Sequence, residues 1–153
     1  MTIIYKDGNI FNTSCAVIVC PVNVVGIMGA GMALKAKQLD HSAYLAYRRW
    51  CSKRQADEDR IATVDFINDK YLMLFVTKYH WSDRSNLVDL EVELQRFARQ
   101  YRKNKPGSFA FPKLGCGCGG LNWVDVRALM LKYLKPLTHL TIEIYGEPDG
   151  SDE

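Results

Sequence analysis

No stretch of this 153-residue chain approaches the ~20 consecutive apolar residues of a membrane-spanning helix, so no membrane contact is expected. Residues 1–10 lack the basic start and apolar run of a secretory leader. Cysteine is sparse and odd in number: Cys15, Cys20, Cys51, Cys116 and Cys118 set no framework of the kind that staples secreted domains. A reducing, cytoplasmic setting is therefore expected. Histidine is rarer still, and His41, His80 and His139 lie in separate segments. Cys116-x-Cys118 thus lacks the second ligand pair that zinc usually needs, and neither a metal nor another cofactor is expected. Charge of one sign is also scarce, with 20 Lys and Arg against 17 Asp and Glu. That excess permits an anionic ligand without calling for a nucleic-acid groove. The modest cluster Arg99, Arg102, Lys103 and Lys105 falls at a predicted helix C-terminus, where cations complement the helix dipole. Repeats, low-complexity tracts and linkers are absent. One domain over 1–146 is expected, acting as a monomer, with 147–153 (EPDGSDE) a disordered acidic tail that has nothing to bury.

What is present alternates. Strand-like runs occupy 2–5, 16–20, 61–66, 71–77, 108–111 and 139–145. Two of them, AVIVC and YLMLFV, are apolar almost throughout, as suits strands covered on both faces. Leu87, Leu90, Leu94, Phe97 and Tyr101 recur at spacings of three and four, one apolar stripe of a helix that Ser85 or Asn86 can cap. Asn122 opens another helix, stopped by Pro136. A third runs from the glycines at 29–31 towards Leu39, and a fourth covers 42–53. Such alternation gives an α/β fold with a mostly parallel or mixed sheet.

Two glycine loops and a lysine carry the chemical information. Gly26-Ile-Met28-Gly29-Ala30-Gly31 follows a buried strand and enters a helix, where backbone N–H groups and the helix dipole suit phosphate. Its GxxGxG spacing is not the dinucleotide fingerprint, and Met32 and Ala33 stand where a Walker A loop needs Lys and Ser or Thr. A plain strand-to-helix turn reads equally well. Phe111-Pro-Lys-Leu114-Gly115-Cys116-Gly117-Cys118-Gly119-Gly120 follows another strand and holds more glycine than a turn requires. Close backbone approach to a ligand explains the excess, and two such loops at two strand ends can clamp a diphosphate. Lys78 ends the apolar strand before Tyr79-His80-Trp81. It is either a solvated strand terminator or a nucleophile or electrostatic catalyst at the crevice.

Taken together these segments resemble the macro domain family, in the branch with the terminal ADP-ribose glycohydrolase and the DNA ADP-ribosyl glycohydrolase antitoxins. Val22-Asn23-Val-Val-Gly26-Ile-Met28-Gly29-Ala30-Gly31-Met-Ala33 is similar to that branch's VNTVGxMGxGxA segment. Thr77-Lys78-Tyr-His80-Trp81 and Pro112-x-Leu114-Gly115-Cys116-Gly117-x-Gly119-Gly120-Leu-x-Trp123 resemble its other two motifs. The likeness runs from Gly8-Asn9-Ile10 to Tyr145. It implies a three-layer α/β/α macro domain whose mixed, mostly parallel six-stranded sheet carries ADP-ribose across its crest. By the same resemblance Asn23 bonds the distal ribose, the two glycine loops hold the diphosphate, and Asn9, Ile10 and Tyr145 lie at the adenine end. Lys78 is then the catalytic lysine, with His80 a candidate proton carrier. The implied activity is hydrolysis of an ADP-ribosyl linkage on a modified nucleic acid or protein. The alternatives are an ADP-ribose-1″-phosphate phosphatase and a non-catalytic reader of ADP-ribose. Three residues depart from the family's commoner pattern. Asn9 stands where many members have the aspartate that reads adenine, and Cys20 replaces a frequent asparagine. Gly119 replaces the aspartate that assists lysine in the terminal glycohydrolase, although antitoxin-like members share the glycine.

Overall fold

The two apolar runs become the centre of a six-stranded sheet. A computed structural model describes residues 2–56, 58–103 and 107–148 of the chain. Its strands are β1 (Thr2–Lys6), β2 (Val17–Val22), β3 (Ala62–Phe66), β4 (Lys70–Val76), β5 (Ser108–Phe111) and β6 (Thr141–Tyr145). They lie in the order β1-β6-β5-β2-β4-β3. Only β3 runs antiparallel to its neighbour; the other pairings are parallel. The β3–β4 hairpin turns through Asn68 and Asp69, both with positive φ (61° and 59°), the backbone that matches the twist of a two-residue hairpin turn.

Side chains alternate across the sheet, and this builds the layers. Val17 and Val19 of β2 join Met73, Phe75, Phe109 and Phe111 on one face. There they pack against Leu90, Leu94 and Phe97 of α3 (Leu87–Gln100) and Val126 and Met130 of α4 (Trp123–Leu134). Phe97 meets Phe109 and Phe111 edge-on at 5.0 and 5.2 Å between centroids. Truncating such a ring to alanine costs about 3–5 kcal/mol. Ile18 and Cys20 point the other way, with Leu72 and Leu74, onto Ala36 of α1 (Gly31–Leu39) and Ala43 and Tyr47 of α2 (His41–Lys53). Both apolar runs are accordingly covered on both faces. No helix among the described residues is long and apolar enough to cross a membrane.

Because β2, β4 and β5 are parallel, their carboxyl ends share one edge of the sheet. The loops after them, 23–30, 77–86 and 112–122, are thereby gathered at one crest. At the chain's far end, Trp123 Nε1 donates to the Glu147 carbonyl at 3.1 Å and Lys113 pairs with the Glu147 carboxylate, so packing reaches the first residue of the acidic tail. Residues 149–153 of that tail, and Lys105 of the basic cluster, lie outside the described residues.

Candidate active site

At this crest a cavity of about 610 Å³ opens between the three loops. Its wall includes Asn23, Gly29, Ala30 and Gly31 from the first loop, Thr77, Lys78, Trp81 and Ser85 from the middle one, and Gly115, Gly117, Cys118 and Gly119 from the last. The two glycine loops come within touching distance: a Cβ on Gly31 would stand 3.9 Å from Cys118 Sγ.

The first loop is shaped by Asn23. Its Nδ2 donates to the Ile27 carbonyl at 2.7 Å, while Oδ1 accepts from Val25 N (3.1 Å) and Ile27 N (3.4 Å). From beneath, the buried Tyr47 hydroxyl is 2.7 Å from Asn23 Oδ1 and 2.9 Å from its carbonyl. Burial pushes the Tyr47 phenol above its ordinary range, so it stays a donor throughout physiological pH. Among the described residues, only one N–H of the Asn23 amide takes a protein acceptor. Beyond the loop, α1 begins at Gly31 (φ 56°), and its N-cap is Ala30, which has no side chain to bond the first-turn amides. By contrast Asp40, Asn86 and Asn122 each cap their helix with a side-chain oxygen. Gly31, Met32 and Ala33 line the cavity. That uncapped, positively polarised helix end is suited to a phosphate.

The second glycine loop presents backbone in the same way. Leu121 N bonds back to the Gly115 carbonyl at 2.8 Å and Gly120 N to that of Gly117 at 3.1 Å, closing the loop on itself. Among the described residues, no protein acceptor takes the N–H groups of Gly117, Cys118 or Gly119. Gly119 is required for a different reason. A Cβ there would come within 2.5 Å of both the Gly115 carbonyl oxygen and Ser85 Oγ. Ser85 ties the middle loop to this one, since its N–H donates to the Gly119 carbonyl at 3.1 Å. Ser85 Oγ is buried with no hydrogen-bond partner among the described residues.

Lys78 extends from the carboxyl end of β4 into the cavity wall, its Nζ donating to the Trp81 carbonyl at 3.0 Å. The strand end that carries it is pinned from α3. Glu93, 2% exposed, accepts the Val76 N–H at 2.9 Å through Oε2 and Arg96 Nη1 at 3.0 Å through Oε1. Burial raises the Glu93 carboxyl, against the opposing pull of the Val76 N–H and Arg96.

The remaining sequence candidates sit elsewhere. His80 is exposed outside the cavity wall, its Nδ1 accepting from Ser82 N at 3.2 Å. Met28 and Leu114 are buried core beneath the loops (1% and 0% exposed), and Gly26 lies against Arg48. Cys116 is half-buried, its Sγ donating to the Leu114 carbonyl, and burial pushes its thiol up to about 11. At the adenine end implied by resemblance, Asn9 caps a short turn by accepting from Phe11 N at 3.0 Å, and Ile10 is core. Tyr145 donates to Glu143 Oε1 at 3.0 Å and lines a separate, shallower cavity with Tyr5, Gly8 and Lys113. Lys113 borders both cavities.

The Macro domain family model matches residues 19–130, which contain every residue named above in the wall of the crest cavity. The chain belongs to the macro domain family. A curated relative, the DNA ADP-ribosyl glycohydrolase of Mycobacterium tuberculosis, is 31% identical over 152 residues, covering 97% of this chain and 43% of its own length. The macrodomain of M. tuberculosis DarG superposes with a TM-score of 0.88 at 30% identity, covering 95% of this chain and 98% of its own. Thermosipho africanus DarTG, solved in complex with ADP-ribose, gives a TM-score of 0.84 at 29% identity, covering 95% of this chain and 41% of its own. This macro domain thus spans about two fifths of the length of such curated relatives.

Proposed function

We propose that this macro domain binds ADP-ribose in the crest cavity and hydrolyses an ADP-ribosyl linkage on a modified DNA base, with Lys78 acting at the distal ribose. The observation that carries this reading is the placement of Lys78 in the same cavity wall as the uncapped α1 terminus and the open amides of the second glycine loop. Two sets of backbone donors suit the two phosphates, and the lysine is left for the sugar beyond them. Hydrolysis breaks the bond between C1″ and the leaving atom, puts hydroxyl on C1″ and returns a proton to the leaving group. A lysine at this point either adds to C1″ of the ring-opened sugar or stabilises charge as the bond breaks. The aspartate that assists lysine in the terminal ADP-ribose glycohydrolase has no counterpart at Gly119, where a Cβ would crowd the Gly115 carbonyl and Ser85. The relatives named as DNA ADP-ribosyl glycohydrolases support DNA as the modified target. Protein monomer state and a cytoplasmic setting belong to the same proposal.

The test is to offer the purified protein three substrates separately: an ADP-ribosylated oligonucleotide, an ADP-ribosylated protein and ADP-ribose-1″-phosphate. Release of ADP-ribose from the oligonucleotide is expected. Release of inorganic phosphate alone would make the protein a phosphatase, and binding of ADP-ribose without any release would make it a reader.

A further inference from the structure

The rim beside Lys78 carries exposed aromatic surface. Trp81 is 53% exposed and Tyr79 48%, and the His80 ring stacks on Trp81 with centroids 5.3 Å apart and planes 32° apart. Large aromatics left in water next to a cavity mark a contact surface rather than a packing accident. Trp81 also belongs to the cavity wall, so the platform is continuous with the place where a leaving group must emerge from Lys78. The lips are fixed to one another: Val24 N donates to the Tyr79 carbonyl at 3.2 Å. The platform therefore keeps a defined position relative to the first loop.

Two arginines lie on neighbouring segments. Arg84 lies against Gly120, where a Cβ would fall 2.6 Å from its Nη2, and Arg48 lies beside Gly26. Among the described residues, none of Lys78, Arg84 and Arg48 is paired with a carboxylate. Asp83, the acid within the segment, accepts the His80 N–H at 3.1 Å. Flat aromatic faces flanked by unpaired cations fit bases and phosphates of a nucleic-acid strand; a modified aspartate, glutamate or serine side chain offers no plane to stack.

We propose that Tyr79, His80 and Trp81, with Arg84 and Arg48, form the docking platform for the single strand that carries the ADP-ribosyl group, a base stacking on Trp81. This inference rests on the glycohydrolase reading above. A single strand fits better than a duplex, because a base held in a stack must first be extruded before its linkage can reach a pocket.

The experiment measures single-turnover release from an ADP-ribosylated single-stranded oligonucleotide across a concentration series, beside calorimetric affinity for free ADP-ribose. It compares wild type, Trp81→Ala, Trp81→Phe and Arg84→Ser. Trp81→Ala is expected to raise the half-saturating oligonucleotide concentration roughly 5- to 150-fold, the value of one lost base stack. Trp81→Phe is expected to recover most of that loss, and ADP-ribose affinity to fall much less than oligonucleotide affinity. Arg84→Ser is expected to flatten the salt dependence of oligonucleotide binding, a readout that also serves if Trp81→Ala does not fold. Unchanged half-saturation in Trp81→Ala, or an equal loss for free ADP-ribose, would overturn the platform while leaving the hydrolase reading intact. A wild type that binds ADP-ribose and leaves the oligonucleotide untouched would overturn the hydrolase reading, and the platform with it.

Discussion

In the loop before α1, side chains do the holding: Asn23 bonds three backbone groups of its own loop, and Tyr47 reaches up from α2 to set its single O–H against two Asn23 oxygens. In the loop after β5, the shape comes from side chains being left out. Gly119 has no room for a Cβ against Ser85 and the Gly115 carbonyl, and Gly115 and Gly120 take positive φ (72° and 78°). Both loops end by presenting bare backbone to the same cavity, so one cavity wall has two independent sources of rigidity. The difference says where each loop breaks: the first through loss of a hydrogen bond, the second through gain of a methyl group.

Among substitutions that test the two loops, Gly119→Ala should have the largest effect. Its Cβ would approach two oxygens to 2.5 Å, so the loop or Ser85 must move. Overpacking of this kind costs about 1–3 kcal/mol, and ADP-ribose binding measured by calorimetry should be lost or severely weakened. Tyr47→Phe should come next. It keeps the ring in the core and removes only the hydroxyl, costing about 1 kcal/mol of stability in a denaturant melt. ADP-ribose affinity should fall about fivefold as the first loop loosens. Gly117→Ala should change least, because nothing lies within 4 Å of its Cβ position. Stability should stay within about 0.5 kcal/mol of wild type. If Gly117→Ala were as damaging as Gly119→Ala, the second loop would owe its shape to something other than local crowding.

The sheet and its four helices were legible because their signals are local. The unbroken runs 17–20 and 72–75 are fully covered, and the stripe Leu90, Leu94 and Phe97 faces the core as its spacing requires. The antiparallel placing of β3 was not foreseen strand by strand, though Asn68-Asp69 is the kind of dipeptide that tolerates a left-handed turn. At the site, Lys78 and the glycines could be found from motif and strand position. Tyr47 and Glu93 could not, since each reads as an ordinary helix residue until the fold brings it to a loop or strand end 24 or 17 positions away. Ser85 was weighed as a helix cap, but Asn86 takes that role and leaves Ser85 in the cavity wall. Trp81 shows the same limit, since its sequence neighbours give no sign of which aromatic in the Tyr79-His80-Trp81 run lines the cavity.

On the proposed reading the two loops hold ADP-ribose, whereas Lys78 lies between them on neither loop. Lys78→Ala therefore separates holding from cleaving. Single-turnover release from an ADP-ribosylated oligonucleotide should fall on the order of 100- to 1,000-fold, about 2.7–4 kcal/mol of transition-state stabilisation, while calorimetric affinity for ADP-ribose changes little. Lys78→Arg distinguishes the two modes of action: retained release means charge stabilisation, and loss means attack by the amine. Full release by Lys78→Ala would contradict the assignment of catalysis to this lysine.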